Sequence, residues 1–161
     1  AGLAVGKGPI DQGLIEDWDR MVDTNVKGLL YVSRAVIPLL KANNKGHIIN
    51  IASIAGKEVY PGGNVYCATK HAIEGATKAM AWELGPHNIR VNTLCPTFIK
   101  TPMVAKFLED KEFYDFVTSN IALGRVGDVN DVMGAVVFLA SDAAGLVTGS
   151  ALMVDGGWTA S

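Results

Sequence analysis

The stretch HIINIASIAGKEVYPGGNVYCATKHAIEGATKAMAWELGPHNIRVNTLCP, residues 47–96, carries the pattern that decides the fold. Its first six residues, HIINIA, form an apolar run without strict alternation, as in a strand buried on both faces of a parallel sheet. A loop with Gly56, Pro61, Gly62 and Gly63 follows. The next segment predicts a helix from about Asn64 to Leu84, closed by Gly85-Pro86. Its small residues Ala68, Ala72, Gly75, Ala76 and Ala79 let another backbone come close. Ile89 to Cys95, IRVNTLC, reads as a second buried strand stopped by Pro96. Strand, helix and strand in this order make a parallel crossover unit.

Outward from that unit the same alternation continues. Upstream, Trp18, Met21, Val22, Val26, Leu29, Val32, Val36 and Leu40 recur at three and four residues, predicting one helix from about Ile15 to Asn43. Glu16, Asp17 and Asp19 crowd its start, and Lys41 and Lys45 lie at or just past its end, in line with the helix dipole. Asn25 falls on the apolar stripe, where a polar side chain needs a partner or a task. Downstream, residues 97–127 read as irregular with a helix around Lys111 to Ser119. Asp128 reads as the N-cap of a helix running to about Ala140, with Asp131 three residues on, and SALMV at 150–154 is a third strand. The expected architecture is α/β: a doubly wound, Rossmann-type parallel sheet of three strands and flanking helices, in a single domain over 1–161. The chain opens on a crossover helix with no strand before it, so one sheet edge should lack a neighbour.

Composition narrows the function classes. Of 161 residues 49% are hydrophobic and 19% charged, against a usual ~25% charged, which excludes a disordered tail or a coiled coil. A formal net charge of -2 gives no electrostatic reason to expect nucleic acid or an anionic membrane. The longest apolar stretch, Val132 to Ala140, falls far short of the ~18 residues of a membrane span. The opening AGLAVGKGPI lacks the basic start and apolar run of a signal peptide, so a cytoplasmic protein is expected, with Cys67 and Cys95 as reduced, packed thiols. His47, His71 and His87 share no metal-ligand spacing, and no metal site is expected.

Tyr66 and Lys70 stand at i and i+4 on one helix face. Alone the pair is weak evidence, because two polar residues on an exposed face make the same pattern. Position strengthens it. Ser53 lies 13 residues earlier at the carboxyl end of a buried strand, the rim where open α/β sheets bind ligands. PTFIKT, residues 96–101, follows the carboxyl end of the next strand on the same rim. A free phenol has a pKa of about 10, too high for a general base near neutrality. An ammonium about 4 Å away favours phenolate by at most ~4 kcal/mol at an effective dielectric of 20. Tyr66 beside Lys70 is thus expected to exchange a proton with a substrate alcohol or carbonyl that Ser53 holds. Proton exchange at that oxygen is half of a hydride transfer, and a nicotinamide supplies the other half.

Asn25 within TNVKG, Ser53 within INIASIAG, YCATK at 66–70, IRVN at 89–92 with Pro96 after it, and VTGSALMVDGGW at 147–158 together resemble the short-chain dehydrogenase/reductases. The resemblance runs through the whole chain in order. It implies that Tyr66 is the general acid/base, that Lys70 lowers its pKa and binds the nicotinamide ribose, that Ser53 orients substrate, and that Asn25 holds a water in a proton relay. It also implies NAD or NADP as cofactor, contacted by Ala1, Gly2, Tyr66, Lys70, Pro96, Thr97, Ile99 and Thr101. Ala1-Gly2 resemble the end of the family's NNAG motif. The substrate implied is a small alcohol or ketone. The helices at 15–43 and 64–84 resemble those of the family's four-helix dimer interface, so a homo-oligomer, dimer or tetramer, is expected.

Two departures stand out. Thr97 occupies the position after proline where the family has Gly, which reduces backbone freedom. No segment matches the family's Gly-rich phosphate turn, nor the residue that chooses between NAD and NADP. The family's first four strands precede the position of Ala1, so the chain reads as the C-terminal catalytic part of a longer protein. At ~30 residues for each strand–helix–strand unit, about 90 residues are absent. The competing reading is a non-catalytic fragment or oligomerisation module that cannot bind dinucleotide. A hydrolase is disfavoured, because no base accompanies Ser53. Phe98, Met103, Phe107, Phe113, Tyr114 and Phe116 read equally as ordinary packing or as a lid over an apolar substrate. Asp155 to Trp158 reads as a turn, with Trp158 placed where it could reach a substrate pocket or a subunit contact.

Overall fold

β1 (Gly46–Ile51), β2 (Ile89–Pro96) and β3 (Ala151–Val154) form one parallel sheet in the order β1-β2-β3. The computed structural model describes residues 2–160, apart from the side chain of Met103. β1 registers on β2 from Gly46 opposite Ile89 to Ile51 opposite Leu94, and β2 on β3 from Thr93 opposite Ala151 to Pro96 opposite Val154. Flanked on both sides, β2 is buried from Ile89 through Cys95, which is why its sequence reads as a continuous run. The other edge of β1 has no strand beside it among the described residues, and Ile51 there is half exposed.

Alternate residues of β2 serve opposite faces of the sheet. Ile89 and Val91 pack with Met80, Ala81 and Leu84 of α3 (Asn64–Leu84), joined by Leu29, Ile37 and Leu40 of α2 (Gly28–Asn43). Arg90 and Asn92 point the other way. The buried guanidinium of Arg90 donates to the carbonyls of Leu139 and Ser141 at the end of α6 (Val129–Ala140), and Asn92 donates to Val147 O. Helices therefore cover both faces, as a doubly wound sheet requires.

The helix expected as one piece over 15–43 is two, with a π-turn between them. α1 (Ile15–Met21) leads into π-type bonding over Val22–Lys27, where Gly28 N–H reaches back to Asp23 O, and α2 resumes after it. The buried or sheet-packed positions become Met21, Asn25, Leu29, Ser33 and Ile37. That is a step of four rather than the ~3.6 of a regular helix, and a wider turn absorbs the difference. Val32 and Val36, expected on the apolar stripe, are consequently exposed, along with Leu30, Tyr31 and Leu39.

The segment expected to be irregular with one helix holds two, α4 (Pro102–Leu108) and α5 (Lys111–Ser119). Pro102 occupies the first helical turn of α4, where its missing N–H costs nothing. Asp128 caps α6 and Asp131 answers it in a capping box. Cys67 and Cys95 are free and buried. Among the described residues no helix is long and apolar enough to cross a membrane.

Candidate active site

Ser53 stands two residues beyond β1 and caps a 3-10 turn over Ile54–Gly56, its Oγ accepting from Ala55 N–H at 3.1 Å. Tyr66 sits in the first turn of α3, its phenol close enough to the Ser53 side chain for that hydroxyl to lower its pKa. The 12-residue loop thus folds back as its length allows. Lys70, one turn on, is 4% exposed. Its Nζ lies 5.6 Å from the centroid of the Tyr66 ring and donates to Ile51 O at 3.2 Å, its one hydrogen bond among the described residues.

The electrostatics differ from the expected arrangement. Burial pushes the Tyr66 phenol above its ordinary value, and the neighbouring Ser53 side chain pulls it back in part. The Lys70 ammonium stands over the ring and faces the end of β1. Burial also lowers the pKa of Lys70 itself.

Asn25 occupies the π-turn and is 3% exposed. Its side-chain amide pairs with the backbone of Leu3, accepting from the N–H at 2.7 Å and donating to the carbonyl at 2.8 Å. It also donates to Thr69 Oγ1 at 3.1 Å, and that hydroxyl donates to Tyr66 O at 2.8 Å. Gly2 lies between the two groups: a Cβ there would stand 3.8 Å from Lys70 Nζ and 4.0 Å from Asn25 Oδ1. Asn25, Ser53, Tyr66, Lys70 and Gly2 are therefore brought together, and Ala1 lies outside the described residues.

The remaining expected positions form a second group on the rim. Pro96 ends β2, and Thr97 N–H bonds to Val154 O. Thr97 adopts no left-handed backbone, so the residue replacing Gly is unstrained there. Its Oγ1 is buried with no hydrogen-bond partner. Thr97 and Ile99 line a cleft of about 280 Å³ with Ile121, Leu123, Gly127 and Asp155. Ile99 bridges to Gly127, and Thr101 O accepts from Val104 and Ala105 at the start of α4. No hydrogen bond joins these four residues to Ser53, Tyr66 or Lys70 among the described residues.

Comparison with known proteins identifies the family. The family model described as enoyl-(acyl carrier protein) reductase matches residues 1–159. Gluconate 5-dehydrogenase of Gluconobacter oxydans (strain 621H) is 37% identical over 155 residues, covering 96% of this chain and 60% of the relative. Cyclopentanol dehydrogenase of Comamonas testosteroni is 41% identical over 160 residues, covering 99% and 64%. The crystal structure of a gluconate 5-dehydrogenase from Burkholderia cenocepacia J2315 in complex with NADP and tartrate superimposes with a TM-score of 0.97 at 34% identity. It is matched over 100% of this chain and 63% of that one. The chain belongs to the short-chain dehydrogenase/reductase family. It spans about 60% of the length of these relatives.

In this short-chain dehydrogenase/reductase the opening loop ties three regions together. Leu3 binds Asn25, Gly8 N–H donates to Gly62 O at 3.1 Å, and Asn64 Nδ2 donates to Gly8 O at 3.2 Å. Between them, Lys7 Nζ sits 4.0 Å from the centroid of the Phe107 ring and 5.6 Å from that of Phe113. The aromatic residues of the 98–116 segment pack on one another and on Trp158. Phe98 is 5.7 Å from both Phe113 and Trp158 by ring centroids, over the buried Val117, Ile121 and Val126. Asp155 holds the turn before Trp158, accepting from Gly157 N–H, Thr159 N–H and the Thr159 hydroxyl.

One buried group escaped the sequence reading. Glu74 is 6% exposed and lies one further turn along the Tyr66–Lys70 face. The signal available was this third member of the four-residue spacing, an acid on a helix face otherwise packed against the sheet.

Proposed function

We propose that this chain is the catalytic part of an oxidoreductase that moves a hydride between NAD or NADP and the carbon of a small alcohol or carbonyl substrate, with Ser53, Tyr66, Lys70 and Asn25 as its proton-transfer site. The observation that carries the reading is the half-buried Tyr66 phenol set beside the Ser53 side chain, with the Lys70 ammonium over the same ring. Two features suit a dinucleotide. Lys70 has N–H directions to spare, and the Thr97 hydroxyl is buried without a partner on the rim. Lys70 and Tyr66 would hold the ribose, and Pro96, Thr97, Ile99 and Thr101 the carboxamide side.

When bound, the nicotinamide supplies or accepts the hydride. Tyr66 does the matching proton chemistry. In reduction its Oη–H bond breaks, the proton goes to the carbonyl oxygen as the carbon receives the hydride, and a phenolate remains; in oxidation the phenolate recovers the proton. A phenol held above its ordinary pKa is protonated at neutral pH, ready to donate. Ser53 hydrogen-bonds the substrate oxygen and orients it. Asn25, through Thr69, buttresses the first turn of α3 and would hold the relay water.

The printed names of the relatives, gluconate 5-dehydrogenase and cyclopentanol dehydrogenase, support an alcohol or carbonyl substrate. The aromatic segment at 98–116 would shape substrate choice. We place the protein in the cytoplasm as a homo-oligomer, the exposed Leu30, Tyr31, Val32 and Leu39 supporting self-association. The same exposed stripe is what the competing reading, an assembly module that binds no dinucleotide, would need.

The test is Tyr66→Phe in the full-length protein. Turnover should fall at least about a hundredfold, the range of general acid–base contributions. NADPH or NADH binding, followed by fluorescence, should persist, weakened by no more than about tenfold for the one ribose hydrogen bond lost. Unchanged turnover overturns the mechanism, and absence of dinucleotide binding at millimolar concentration in the unaltered protein favours the assembly module.

A further inference from the structure

The turn that carries Ser53 is anchored at both ends to α3. Before Ser53, Lys70 Nζ donates to the Ile51 carbonyl at 3.2 Å. After it, Lys57 Nζ pairs with Glu74 Oε2 at 2.8 Å, across side chains 33% and 8% exposed respectively. Between the anchors the backbone lies flat on the helix: a Cβ on Gly56 would meet Lys70 O at 3.1 Å and Glu74 Cγ at 3.3 Å. The turn is closed from within by Ala55 N–H to Ser53 Oγ and Gly56 N–H to Ser53 O, and Lys57 N–H bonds to Ile54 O.

Glu74 is itself fixed. Cys95 Sγ–H donates to its Oε1 at 3.2 Å, and the Thr93 side chain lies beside it. Both come from β2, so the carboxylate joins helix, central strand and catalytic turn. Burial alone would raise its pKa, but the Lys57 ammonium and the neighbouring Thr93 and Cys95 side chains outweigh this and hold it below the ordinary value. It is therefore a carboxylate at neutral pH, the form the Lys57 ammonium needs.

We infer that Glu74, through its ion pair with Lys57, is a positioning residue that holds the Ser53 turn against Tyr66. This rests on the oxidoreductase reading above. Neither residue touches the reacting atoms; the pair fixes where the Ser53 hydroxyl stands relative to the Tyr66 hydroxyl. Tyr66 is faced by Ser53, Lys70, Cys67 and Tyr60, and neither Glu74 nor Lys57 shifts its pKa directly. Loosening the turn moves away the Ser53 hydroxyl, the neighbour that pulls the phenol downward.

The test uses Glu74→Gln, Lys57→Met and Lys57→Arg in the full-length protein. Gln keeps the shape of Glu74 without its charge, and Lys57, being partly exposed, can be changed without opening the core. Hydrogen exchange in residues 53–58 should quicken about tenfold in Glu74→Gln and Lys57→Met, with residues 89–96 unaffected. The Lys57→Arg variant, which keeps a cation for the pair, should behave as the unaltered protein. In parallel kcat should fall about tenfold with dinucleotide affinity within twofold. The pH at which kcat/KM is half-maximal should rise by about half a unit. Unchanged exchange at 53–58 in Glu74→Gln overturns the inference. So does faster exchange with kcat and the pH limb both unmoved. If the unaltered protein turns over no alcohol or carbonyl, the oxidoreductase reading falls, and exchange at 53–58 alone still decides whether the pair holds the turn.

Discussion

Replacing Asn25 by Ala isolates what the polar residue in the π-turn contributes. Alanine is the best helix former, so a loss cannot come from helix propensity. The substitution removes three hydrogen bonds: two to the backbone of Leu3 at 2.7 and 2.8 Å, and one to Thr69 Oγ1 at 3.1 Å. A buried group left unpaired costs about 1–3 kcal/mol. Leu3 is only half-buried, so water can answer its N–H and C=O, and the Thr69 hydroxyl keeps its own bond to Tyr66 O. The sum therefore falls at the low end, about 2 kcal/mol. Because the lost partner is the opening loop, most of this should appear as local opening. At about 1.4 kcal/mol for each factor of ten, the Leu3 amide should exchange about 30-fold faster. NMR-detected hydrogen exchange on the full-length protein measures this, with the amides of β1 as the internal reference. A change of less than threefold at Leu3 would refute the view that Asn25 holds the opening loop beside Lys70.

Two further predictions concern buried charge. Arg90→Met should lower stability by about 3 kcal/mol in urea unfolding, since it leaves the carbonyls of Leu139 and Ser141 without their donor; a loss under 1 kcal/mol would show that water replaces the guanidinium. Glu74 has a folded pKa below its unfolded value of about 4.3, so its stabilisation is fully present above that pH and is lost as pH falls through the folded pKa. The urea-midpoint gap between the unaltered protein and Glu74→Gln should therefore close below about pH 4, and a gap that stays constant down to pH 3 would contradict the assignment.

Where the sequence was legible, local and tertiary signals agreed. The bounds of α3, Asn64–Leu84, follow from its periodicity and the Gly85-Pro86 stop, and the capping of α6 from Asp128 and Asp131. Asn25 was recognisable as a polar residue on an apolar stripe, yet the π-turn beneath it was not. Apolar residues at both 32–36 and 29–40 fit a regular helix, and only packing on the sheet selects between the two faces. α4 was missed because its start depends on Pro102 within an otherwise unpatterned loop. The meeting of Ser53 with Tyr66 could be argued from loop length and strand polarity. The direction of the Lys70 ammonium could not, because it depends on where the Ile51 carbonyl ends up. The orphaned hydroxyl of Thr97 was equally out of reach: the sequence showed a missing glycine, not the burial of the oxygen that replaced it.

The contact of Lys7 with Phe107 and Phe113 bears on how this protein can be re-engineered. If the 98–116 segment shapes substrate choice as proposed, it is the piece to exchange with a relative when a different substrate is wanted. Yet its rings are seated under a cation that arrives from nearly 100 positions earlier in the chain, on a loop that also grips Asn25 and Asn64. A graft confined to that segment would strand Lys7 over whatever side chains came with the donor. A productive exchange would move residue 7 together with the graft, treating two distant pieces of sequence as one inherited unit.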